Sequence, residues 1–174
     1  MLFRSITGAS TGSFTYTPAD GSAAIAKNLT RQEFGVLPVC SMLPAAGTPN
    51  YQALWYAFPA ESESGWGMNI AQQGEIMFLT WFTYGAGGKQ IWYVGPDTRR
   101  TGTNTFTGKL YRTTGPSYKS PVWNASQVAS FEVGSVTLDF TALDRASFTY
   151  TVDGITQTKT ITRQVYGAPV TVCR

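Results

Sequence analysis

Polar and apolar residues alternate without a break from Val136 to Thr141, with Val136, Leu138 and Phe140 on one side and Thr137, Asp139 and Thr141 on the other. The same period of two recurs over Phe148–Val152, Thr160–Val165 and Phe106–Leu110. Successive side chains of an extended strand point to opposite faces. Each stretch therefore predicts an antiparallel strand with one face on a core and one in water. Asp20-Gly21 and Asp153-Gly154 provide the positive-φ residues that tight hairpins require. Gly85-Ala86-Gly87-Gly88 closes a further hairpin between Met77–Tyr84 and Gln90–Val94. No stretch combines a helical period with capping residues, so no helix is predicted.

One strand breaks the alternation. Ile76, Phe78, Phe82 and Tyr84 fall on one side of it, yet Met77, Leu79 and Trp81 fall on the other. Ile91 and Tyr93 oppose Trp92 and Val94 in the same way. Such a hairpin is either covered on both faces or presents aromatic rings on one of them. It belongs to the segment Tyr51–Gly95, which holds four of the five tryptophans, Trp55, Trp66, Trp81 and Trp92. An aromatic or concave binding surface is expected here.

The chain also repeats itself. SFTYT at 13–17 returns at 147–151, Asp20-Gly21 answers Asp153-Gly154, and Lys27 answers Lys159. Thr30-Arg31-Gln32 answers Thr162-Arg163-Gln164, Phe34-Gly35 answers Tyr166-Gly167, and PVC at 38–40 answers PVTVC at 169–173. Order, spacing and residue type agree over roughly 30 positions. Residues 1–40 therefore read as the end of one unit, 41–50 as a Pro/Ala-rich linker, and 51–174 as one complete unit. The period is too long for a solenoid, and each unit should be a domain. Ser22–Asn28 has helical composition, but its counterpart at 155–160 reads as strand, so strand is predicted there too.

The complete unit then has about eight sequential strands, interrupted by longer loops at 95–104 and 115–127. An all-β fold follows: an antiparallel up-and-down barrel of the calycin or avidin type, or a flattened sandwich, with an extra N-terminal hairpin from the partial repeat. A barrel removes both sheet edges and can leave room for a small ligand.

Composition narrows the chemistry. Charged residues make up 13% of the 174 positions and the net charge is +3, with no basic block of the kind that marks a nucleic-acid partner. No apolar run is long enough for a membrane span. The start, MLFRSITGASTG, lacks the apolar core and cleavage site of a signal peptide. There is no histidine, which removes most transition-metal sites and every Ser-His or Cys-His nucleophile. Glu61 and Glu63 could in principle form an acid–base pair, but they sit two residues apart on a polar loop and read as solvated. No enzyme activity, metal or cofactor is implied.

The motifs ESESGWGMNIAQQG, FLTWFTYGAGGKQIWYV, FTGKLYRTTGP and FTYTVDG with TKTITRQVYG together resemble a repeat of uncharacterised exported bacterial proteins. Copies there occur in tandem or trail other domains, each ending in a Pro- and Cys-containing tail. The resemblance implies a secreted or cell-surface accessory domain of binding type, and carries no catalytic residues.

A small-molecule or glycan ligand is accordingly expected at Trp55, Trp66, Asn69, Trp81, Tyr84, Trp92, Tyr93 and Arg163. Arg163 falls with Ile161 and Val165 on the apolar side of its strand. It therefore either faces a ligand or bridges to a carboxylate or loop carbonyls. For any single tryptophan core packing is the favoured place, and the cluster as a whole is expected to offer at least one exposed or lumen-lining ring. The competing class is a structural module in which the partial repeat adds strands to a sheet, and hairpin exchange between chains would make a homodimer. Cys40 and Cys173 occupy equivalent positions of successive copies. That equivalence alone does not bring the sulfurs together, so a disulfide stays open and depends on an oxidising compartment.

Overall fold

The computed structural model describes residues 2–42, 47–120 and 122–174. Residues 43–46 of the expected linker lie outside these. The chain is all-β and divides into two units, residues 1–33 with 117–123, and residues 34–116 with 124–174.

The first unit is a three-stranded antiparallel sheet, β1 (Leu2–Ile6), β2 (Thr11–Tyr16) and β3 (Ile25–Thr30), with β2 central. The stretch of helical composition thus enters a strand. Tyr118 packs edge-on against Tyr16, with ring centroids 6.2 Å apart, and Lys119 pairs with Asp20 in the turn between β2 and β3.

The second unit contains β4 (Cys40–Ser41), β5 (Ala53–Ala57), β6 (Gly67–Gln73), β7 (Ile76–Tyr84), β8 (Gln90–Arg100) and β9 (Thr105–Thr114), followed by β10 (Ala129–Ala142), β11 (Arg145–Val152), β12 (Ile155–Arg163) and β13 (Val172–Cys173). Strands β5 to β12 form a closed antiparallel barrel in up-and-down order, with β12 returning to β5. Of the two architectures predicted, the barrel is the one formed. Closure is narrow: Ile161, Thr162 and Arg163 face Ala57, Tyr56 and Trp55, and the Phe58 and Gln164 N–H groups donate to the Thr160 and Leu54 carbonyls at either end.

The register sorts the apolar residues. Val136, Leu138 and Phe140 of β10 point inward with Ala146, Phe148, Tyr150 and Val152 of β11. The interior is filled by rings. Tyr51 stacks on Phe140 with centroids 3.7 Å apart, and Phe106 and Trp55 meet the same ring edge-on. A second cluster joins Trp66, Trp81, Tyr93, Phe148 and Tyr150. Near the bulge at Glu132–Gly134, β10 presses so close to β11 that a β-carbon on Gly134 would lie 1.7 Å from the Thr151 carbonyl oxygen; only glycine fits.

Three local expectations change. The loop expected at 95–104 is mostly strand, because β8 runs on to Arg100 and turns only afterwards. Pro96 is accommodated where the β8 pairing with its neighbours shifts register, and beyond it the fully buried Thr98 fills the space left by Gly95 and Gly108. The strand expected over 160–165 stops at Arg163, and Val165 is exposed. Residues 34–40, read as the tail of the partial repeat, fold with the barrel unit. The Gln73 side-chain oxygen accepts hydrogen bonds from the backbone N–H groups of Phe34 and Gly35 at 2.8 and 3.0 Å.

The two cysteines are joined. Strand β13 pairs with β4, placing Cys173 opposite Cys40, and a disulfide links them. The Gln52 amide donates to both sulfurs at 3.2 Å. Asn50 extends the pairing, donating its backbone N–H to the Cys173 carbonyl.

Candidate functional site

The eight residues expected to bind ligand are sorted by strand register into an inner and an outer set. Trp55 faces Met68, Met68 faces Trp81, and Trp81 faces Tyr93, so these four make one inward row across β5 to β8. Trp55 and Trp81 are 1% and 3% exposed, and Tyr93 and Trp66 are nearly as buried. The Trp55 indole donates to the Tyr51 carbonyl at 3.0 Å. The Trp66 and Trp81 indole nitrogens are buried without a hydrogen-bond acceptor, so this cluster is held by ring packing. Burial raises the Tyr93 and Tyr150 hydroxyls above the usual tyrosine range, as it does Tyr51.

The outer set differs. Asn69, Tyr84 and Trp92 point away from the core, the two rings at 48% and 52% exposure. In the outward row next to the buried one, Gly67 faces Phe82 and Phe82 faces Trp92, with Phe82 45% exposed. Asn69 sits in the neighbouring row, between Leu54 and Thr80. Both alternatives for the two-sided hairpin are therefore realised on one strand. Phe34 packs against Phe78 at 6.5 Å and covers one end of the outer face, while Phe82, Tyr84 and Trp92 remain open at the other.

Two shallow clefts meet over these rings. One, of about 300 Å³, is lined by Trp55, Tyr56, Trp66, Gly67 and Gln164 among others. The second, of about 280 Å³, is lined by Thr83, Tyr84, Gln90, Ile91 and Trp92. Gly65 and Phe82 belong to both. Gly65 has φ +81°, and a β-carbon there would lie 1.8 Å from the Tyr84 hydroxyl oxygen. The glycine thus lets the Tyr84 ring lie over the loop that carries Trp66. Phe82, Tyr56, Gln90 and Gln164 were absent from the expected set. Alternation already placed Phe82 beside Tyr84, and that signal could have found it.

Arg163 lines neither cleft. Its register position is inward, but at the barrel rim its guanidinium donates to the Thr171 carbonyl at 3.2 Å. Glu63 is held by Lys159 at 2.6 Å, and the same ammonium lies 5.7 Å from the Trp66 ring centroid. Among the described residues, no group of three or more acidic or cysteine side chains is placed to hold a metal ion. No protein-family model, curated protein or solved structure matches the chain.

Proposed function

We propose that the barrel is a non-catalytic binding module whose ligand, a glycan, lies on the outer face of β7 and β8. One observation carries the reading: Phe82, Tyr84 and Trp92 are large rings, about half exposed, grouped on two adjacent strands over abutting clefts. Leaving such rings in water forgoes roughly 25 cal/mol per Å² of buried apolar surface, and grouped exposure of this kind marks contact surfaces. Flat rings stack on the C–H faces of sugars. The disulfide suits the oxidising surroundings of an exported or surface protein, in which such a module would be an accessory domain.

Tryptophan fluorescence titrated with a glycan panel tests the reading. Binding is expected to perturb the emission of the wild type and to be lost in Trp92→Ala, with circular dichroism unchanged. A panel without any response, or undiminished binding by Trp92→Ala, would overturn it.

A second reading, assembly by strand addition, has one observation in its favour. Strands β1 and β3 each pair with β2 alone among the described residues. It predicts a dimer in light scattering whose share rises with concentration, and a strictly monomeric chain would exclude it.

A further inference from the structure

Every side chain lining the two clefts is uncharged. The polar groups they present include the Tyr56 and Tyr84 hydroxyls, the Thr83 hydroxyl, the Trp92 indole N–H and the Gln90 and Gln164 amides, all neutral donors and acceptors. Charges do occur nearby in the chain, but none lines either cleft. Arg163, next to Gln164, is bound to a carbonyl, and Glu63 is neutralised by Lys159. Lys89, next to Gln90, lines neither cleft. A ligand carrying carboxylate or sulfate groups would leave its hydration without an ionic partner in either cleft, a desolvation cost with nothing to offset it. A neutral polyol meets amides and hydroxyls that match its own.

The clefts also abut. They share Gly65 and Phe82, and the three exposed rings follow one another along β7 and across to β8. A single sugar would cover one ring and leave the others wet. A chain of several sugars covers all three, provided its rings present flat C–H faces in succession. Sugars whose hydroxyls are all equatorial do so, because their axial positions carry only hydrogen.

Taking the outer face to be a glycan site, we infer that its ligand class is a neutral, extended oligosaccharide of β-linked sugars with equatorial hydroxyls. Charge plays no part in its recognition. Gln164 and Gln90 set the orientation by hydrogen bonds, and Trp92, Phe82 and Tyr84 provide the stacking surface.

The test uses the full chain with cellohexaose, glucose and an oligogalacturonate of matched length. Cellohexaose should perturb tryptophan emission with an affinity unchanged by added salt and well above that for glucose. Trp92→Ala should weaken it at least tenfold. Gln164→Ala and Gln90→Ala should each weaken it about threefold to tenfold, the range of one net hydrogen bond. Stronger binding of the oligogalacturonate, falling with salt, would overturn the neutral class and leave the aromatic-face reading standing. Glucose binding as tightly as the hexamer would overturn the extended chain. No response to these sugars or to any member of a wider glycan panel would overturn the reading of the face itself, and this inference with it.

Discussion

Two tryptophans that look alike in the sequence have opposite jobs. Trp55 fills the barrel beside Phe140, whereas Trp92 stands on the outer surface opposite Phe82. Trp55→Ala should cost about 3–5 kcal/mol in urea unfolding, through the cavity it leaves. Trp92→Ala should stay within about 0.5 kcal/mol of the wild type while losing ligand. Equal destabilisation by the two would contradict this division. Gly65→Ala offers a finer probe, since it forces a β-carbon into both a positive-φ backbone and the Tyr84 hydroxyl. A folded barrel with weakened binding is the expected outcome, read by circular dichroism and titration on the same sample. Alternation assigned Phe82 and Trp92 each a side of its strand. It could not say which side faced water, because both sides of β7 are apolar, and the covering group, Phe34, lies 44 positions away in the chain.

At the scale of elements, the regularly alternating strands were legible and the irregular ones were not. The 136–141 stretch of β10 and the whole of β11 carry polar and apolar positions in strict turn, so their faces could be read directly. Strand β8 outruns its expected end because Gly95-Pro96-Asp97, ordinarily turn chemistry, sits here where the pairing shifts register. Short β5 gave little period to read, although it closes the barrel. In the first unit, the hairpin of β2 and β3 places Phe14 opposite Lys27, as β11 and β12 place Phe148 opposite Lys159. Its turn carries a pH-sensitive tie. The hydrogen bond from Lys119 holds the Asp20 carboxyl down at about 2, assisted by Ser22, and the pairing raises Lys119 in turn. A lowered carboxyl stabilises the fold fully above its ordinary value of 3.8, and that contribution fades as pH falls towards 2. Amide protection factors of residues 117–120 and 122–123, relative to intrinsic exchange at each pH, should therefore fall over that acid window and stay level above it. In Asp20→Asn the acid-induced step should disappear.

For the molecule as a whole, the disulfide is the feature that sequence logic could state but not decide. Equivalent cysteines of successive copies are expected to lie far apart if each copy is an independent domain. They meet because residues 34–41 leave the partial repeat's sheet and fold with the barrel unit, where the two-residue strands β4 and β13 pair. The bond therefore fastens the two ends of the barrel unit across 133 residues. On the chain-entropy argument, a loop of that length contributes about 4–5 kcal/mol by restricting the unfolded chain. Cys40→Ser with Cys173→Ser should lower the urea midpoint by an amount equivalent to that figure. The slope should rise, since an uncrosslinked chain exposes more surface on unfolding. Binding at the outer face of β7 and β8 should survive in the folded fraction, because neither cysteine lines its clefts. If ligand affinity fell in step with stability, the clasp would be positioning the aromatic face as well as holding the barrel shut.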